Sequence, residues 1–159
     1  LLDKHLQDAC LHVHGTTIAP THYLVSANFG DTCISMDTLN EAKPYRILQD
    51  NRGYCECNQG QLAHEENPTL VNPHTLRDVF KLVKDYSEEA GRGAYSLTDN
   101  NCLHFAQRVW SWFVRDDSPV AYSQIPWGRY EAGSTVLYGV VGSMLVSNGV
   151  VKESKDSSQ

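Results

Sequence analysis

Residues 94–105 read Ala-Tyr-Ser-Leu-Thr-Asp-Asn-Asn-Cys-Leu-His-Phe. The paired Asn100-Asn101 are helix-capping residue types, and the apolar spacing that follows is helical: Phe105, Ala106, Val109, Trp110 and Phe113. Cys102 therefore falls in the first turn of an amphipathic helix that stops before Asp116-Asp117-Ser118-Pro119. Unpaired N–H groups and the positive end of the helix dipole stabilise a thiolate there, and the thiolate is the nucleophile. Such a cysteine needs a base, usually histidine. His22, at the start of an apolar strand, is the best-placed candidate upstream.

An earlier helix opens at Asn72 as N-cap with Pro73 in the first helical position. Its apolar stripe is Leu76, Val79, Phe80, Val83 and Tyr86, and Gly91 and Gly93 end it. The first forty residues read as strands. Cys10 to Gly15 alternates, with Leu11 and Val13 on one face and His12 and His14 on the other. After a turn over Thr16 to Pro20 come strands at Tyr23–Ala27 and Thr32–Met36, joined by hairpin chemistry in Asn28-Phe29-Gly30-Asp31. Asn51 to Asn67 is rich in Gly, Asn, Gln and Glu and reads as a long loop. Strands followed by helices give an α+β domain, a small antiparallel sheet packed by two or three helices.

The 159 residues suit one domain over 1–132. Residues 133–151 carry no charge and read as core-packed or membrane-associated, and 152–159 read as a polar, disordered tail. Thirteen Lys and Arg against 19 Asp and Glu give a net charge of −6, which argues against a broad basic face for nucleic acid. A small RNA-binding patch of Lys81, Lys84, Arg92 and Arg108 is the weaker alternative. Five cysteines and a charged Leu1–Cys10 stretch without a secretory core point to reduced thiols. Two groups have metal-ligand chemistry, Cys10 with His12 and His14, and Cys55 and Cys57 with His64. Neither has regular finger spacing, so the expectation is no metal and no cofactor. His104 reads as a supporting residue, and Trp110, Trp112 and Phe113 as core.

The segment Tyr95–Phe105 resembles the Asn-Cys-Glu-His-Phe signature of the lecithin:retinol acyltransferase family, which includes the small phospholipase A/acyltransferases. Asp8-Ala-Cys-Leu-His-Val-His and Thr21-His22-Tyr23-Leu-Val-Ser-Ala-Asn-Phe-Gly30 are similar to that family's first strand and its His-box. The resemblance spans roughly Asp8 to Phe113. It implies a circularly permuted papain-like (NlpC-type) fold. Cys102 would attack an ester carbonyl, His22 would be its base, and Asn101, Tyr23 and His104 would be motif residues around them. The Cys102 backbone N–H would contribute to an oxyanion hole. Leu103 stands where the family has Glu. Thr32–Asp37 holds no histidine where the family places its third polar residue, so Ser35 and Asp37 are both candidates for the orienting role.

The same two motifs resemble picornaviral 2A proteins of the H-box/NC type. That resemblance is the preferred reading, with an active thiol phospholipase/acyltransferase as the alternative, and implies a replication and host-interaction factor, with or without catalysis, in the host cytoplasm or at replication membranes. Its partners would be host proteins or membrane lipids. It fits an apolar segment near the C-terminus, and a polyprotein product cut after Gln159 and starting at Leu1.

Overall fold

The alternating apolar pattern of the first forty residues folds as a meander in the computed structural model. The structure describes residues 1–15, 20–38, 45–50, 62–64, 68–71, 74–89 and 101–133. Strands β1 (Asp8–Gly15), β2 (Pro20–Asn28), β3 (Cys33–Thr38) and β4 (Tyr45–Asp50) follow one another, and β5 (Leu62–His64) joins the free side of β1. The sheet order is β4-β3-β2-β1-β5, and every pairing is antiparallel.

The β2–β3 turn forms where its sequence predicts. The Asn28 side-chain oxygen accepts from the Gly30 N–H at 2.8 Å, and the Phe29 N–H donates to the Thr32 carbonyl at 2.7 Å. Gly30 sits at φ +93°, a conformation that glycine adopts without a Cβ penalty. Strand β4 and strand β5 are additions to the sequence reading. Strand β5 is three residues long and lies inside the expected loop; it exists through its pairing with Leu11–Val13 rather than through a pattern of its own.

Helix α1 (Leu76–Glu88) starts later than expected. Its N-cap is Thr75, not Asn72, because Thr75-Leu-Arg-Asp78 closes a capping box: the Thr75 hydroxyl takes the Asp78 N–H, and the Asp78 carboxylate takes the Thr75 N–H. The carbonyls of Lys4 and Leu2 accept the N–H groups of Leu76 and Arg77, so the N-terminal segment completes the cap. Asn72, Pro73, Gly91 and Gly93 lie outside the described residues. Leu76, Val79, Val83 and Tyr86 are buried as the stripe requires, but Phe80, one step off that line, is 40% exposed.

Helix α2 (Cys102–Phe113) carries the centre of the core. Phe105, Val109, Trp110 and Phe113 are buried, with Tyr86 of α1 edge-on to Phe105 at 5.4 Å. The Trp110 indole N–H donates to the Val120 carbonyl at 2.9 Å, which ties the following chain back onto the helix. Beyond a 3₁₀ turn at Tyr122–Gln124, residues 127–133 are helical, and the Tyr130 carbonyl accepts from the buried Tyr23 hydroxyl. Trp112 is only partly buried, against Tyr86.

The polar face of the sheet is covered in part: His12, Ser26 and Asp37 are buried, while His14, His22 and Ser35 are half-buried. Among the described residues no helix is long and apolar enough to cross a membrane. Nearly all of the apolar 133–151 segment, and the 152–159 tail, lie outside them. The expectation of reduced thiols fails at Cys33, which is disulfide-bonded, and holds at Cys10 and Cys102, which are not.

Trp110→Ala removes a fully buried ring and its hydrogen bond. Urea denaturation followed by circular dichroism should show a loss of about 3–5 kcal/mol. A loss below 1 kcal/mol would mean that the core is not centred on α2.

Candidate active site

Asn101 and the helix it caps place the cysteine. Asn101 is extended (φ −125°, ψ −174°), and its side-chain oxygen accepts from the N–H groups of Leu103 at 2.9 Å and His104 at 3.3 Å. His104 answers: its Nδ1 accepts the Asn101 N–H at 3.3 Å, a capping box with histidine in the place where glutamate or glutamine usually stands. Cys102 follows as the first residue of α2 and is 1% exposed.

The sheet brings the histidine and the carboxylate together. Strands β2 and β3 pair with Val25 opposite Met36 and Ser26 opposite Ser35. One residue further, the same register sets Asp37 opposite Leu24, on the same face as His22 and diagonal to it. His22 Nε2 and Asp37 Oδ2 stand 2.8 Å apart, with the Asp37 side chain 4% exposed and that of His22 26%. The His22 ring is also hydrogen-bonded to Cys102. With Nε2 engaged by Asp37, Nδ1 is the nitrogen left for the sulfur.

Electrostatics follow from this geometry. Burial alone would lower the basicity of His22. The hydrogen bond that its N–H donates to Asp37, the bond with Cys102 and the negative charge of both outweigh it, and hold the imidazole pKa up at about 9. His22 is thus a cation at neutral pH, held between the Asp37 carboxylate on one side and the Cys102 thiolate on the other.

The sequence-derived site residues separate accordingly. Cys102, His22 and Asp37 meet. Asp37 rather than Ser35 holds the imidazole; Ser35 is one alternate position away, opposite Ser26. Asn101 and His104 build the helix cap, and Tyr23 points to Tyr130, away from His22. Sequence reading did not connect His14 with this cluster. His14 is the register partner of His22 across β1 and β2, with ring centroids 5.7 Å apart. Strand pairing alone could have revealed this.

The metal candidates disperse among the described residues. His12 Nε2 stands 2.6 Å from the Ser26 hydroxyl, and His64 Nε2 stands 2.8 Å from the Tyr130 hydroxyl. No group of three or more His, Cys, Asp or Glu among them could hold a metal ion. Cys55 and Cys57 lie outside them. In the basic patch, Lys81 is paired with Asp85 and Arg108 with Glu89; Arg92 lies outside the described residues. Comparison with known protein families, curated proteins and solved structures returns no match.

Asp37→Asn keeps the shape of the site but removes its charge. The His22 pKa should fall from about 9, and Cys102→Ser, which removes the sulfur's hydrogen bond and charge, should lower it too. A ¹⁵N-edited NMR titration of the imidazole reads both. A His22 midpoint unchanged in either variant would show that the contact does not set the ring's charge.

Proposed function

We propose that this chain is a cysteine-dependent acyl-transfer enzyme of the phospholipase A/acyltransferase kind, built on a permuted papain-like fold. The carrying observation is the contact of one imidazole with both Cys102 and Asp37. Supporting it are a histidine on a strand preceding the cysteine in the chain, and a cysteine that opens a capped helix.

In the first half-reaction His22 holds the thiol proton and the Cys102 sulfur attacks the carbonyl carbon of an ester. The Cys102 backbone N–H, at the start of α2, would donate to the oxyanion that forms. Collapse expels the alcohol, which takes the proton from His22, and leaves a thioester on Cys102. In the second, water or another hydroxyl or amine gives its proton to His22 and attacks the thioester, restoring the thiol. Asp37 fixes the tautomer and turn of the ring and balances the imidazolium charge. No step calls on a metal or cofactor.

A second reading has one observation in its favour. Cys102 is 1% exposed, as suits a chain that keeps the fold as a binding module. In that reading the protein is a picornaviral 2A-type H-box/NC factor that supports genome replication through host proteins or membranes. His22-Tyr23 and Asn101-Cys102 support that kinship as much as they support the enzyme.

Incubation with a short-chain phospholipid or an activated ester, followed by peptide mass spectrometry, separates the two. The enzyme leaves an acyl adduct on Cys102 that is absent in Cys102→Ser and His22→Ala. Asp37→Ala should slow its formation by about a hundredfold or more. No adduct, together with Cys102 alkylation by iodoacetamide at the rate of an ordinary thiol in both wild type and His22→Ala, would leave the binding module.

A further inference from the structure

His14 stands against the His22 ring, yet the proposed mechanism does not use it. It lies directly across from His22 in the β1–β2 ladder, one residue before the register shift at Gly15. The two rings meet edge-on, with centroids 5.7 Å apart and planes at 60°. Its Nε2 is buried and has no hydrogen-bond partner among the described residues. A buried polar nitrogen left unpaired costs roughly 1–3 kcal/mol, so an apolar ring would fill the same space at less cost.

We propose that His14 is a positioning residue of this site: its imidazole, standing against the His22 ring from the neighbouring strand, holds that ring turned between Asp37 and the Cys102 sulfur. This rests on the reading of Cys102, His22 and Asp37 as one reactive unit.

The groups around His14 define how it works. From β2 it meets His22, from β3 it feels Asp37, and beyond them stands Cys102 of α2. On its own strand His12 is held by Ser26. His64 of β5 pairs with Leu11, which sets it on the opposite face. Burial first, then the charge of His22, lower the basicity of His14, while Asp37 works against them. Through neutral pH the pair is thus one cation and one uncharged ring, served by one carboxylate. In acid a proton on His14 sets two cations side by side, and both compete for Asp37. The ring contact therefore supports the cluster near neutrality and undermines it in acid.

The test uses the whole chain and three variants: His14→Phe, which keeps a ring that cannot be charged, His14→Gln and His14→Ala. Two readouts are taken, the iodoacetamide alkylation rate of Cys102 from pH 4 to 9 and the ¹⁵N shifts of the His22 ring. His14→Ala should slow alkylation near pH 7 by roughly tenfold, as expected for a displaced reacting pair. His14→Gln should fall between alanine and wild type. His14→Phe should stay within about twofold of wild type near pH 7 and hold its rate to lower pH than wild type does. A merely structural role would not move that acid limb.

Equal rates and superimposed pH profiles in wild type, His14→Phe and His14→Ala would overturn the proposal, as would a phenylalanine variant as impaired as the alanine one. If His14→Ala does not fold, the phenylalanine and glutamine profiles decide. A wild-type Cys102 that reacts as an ordinary thiol would sink the acyl-transfer reading instead. The His14 contact is then judged on the ring shifts of His22, which do not depend on acyl chemistry: unchanged shifts in His14→Gln and His14→Ala would end it.

Discussion

One imidazole shared between a buried carboxylate and a buried thiol sets the terms for the rest of this structure. None of the three groups is comfortable alone. A carboxylate at the exposure of Asp37 needs a cation, and an imidazolium at the depth of His22 needs an anion. Each neighbour repays the desolvation of the next, which is why burial, the largest influence on His22, is still outweighed. Three elements must then be held in register at once: β2 for the histidine, β3 for the acid, and the start of α2 for the sulfur.

Each of those constraints has its own local device. The turn at Asn28–Thr32, with Gly30 at positive φ, fixes the β2–β3 register that puts Asp37 diagonal to His22. A slip of one residue would turn the carboxylate to the other face. The reciprocal bonds of Asn101 and His104 fix where α2 begins, so Cys102 takes the first helical position. Trp110, two turns on, locks the helix by packing and by its bond to Val120. The core far from the sulfur thus governs its placement as firmly as the cap beside it.

Much of this was legible in the sequence, and the rest was hidden for identifiable reasons. Strands β1 to β3 and helix α2 have local signatures, namely alternation, a turn of Asn and Gly, and a cap before an apolar stripe. Cys102 and His22 were legible for the same reason. Strand β5 is held by pairing with a distant segment, and three residues carry no period. The start of α1 was misplaced because Asn72-Pro73 is a plausible cap in isolation. Thr75 wins through Asp78 and through carbonyls of the N-terminal segment, which no local pattern reports. The choice between Ser35 and Asp37 turned on register and depth: both lie on the same face of β3, but only Asp37 comes within reach of the His22 ring. His14 stayed unconnected because its tie to His22 runs across strands rather than along one.

The burial of Cys102 at first weighs against chemistry, yet the energetics of the cluster point the other way. A fold kept only as a scaffold gains little from a buried set of ionisable groups. Apolar side chains of similar volume often serve such positions equally well or better, whereas removing a single member of a buried pair leaves an uncompensated charge. Here the set is complete, and its geometry is directional: the acid lies on one ring nitrogen and the sulfur is left the other. A His14 nitrogen with no partner among the described residues adds a further cost against the same ring. Packing alone gives no account of two histidines, an acid and a thiol gathered at the end of a sheet. The proposed proton transfer at the Cys102 sulfur would use three of them, His22, Asp37 and Cys102, and His14 stands against the ring they share.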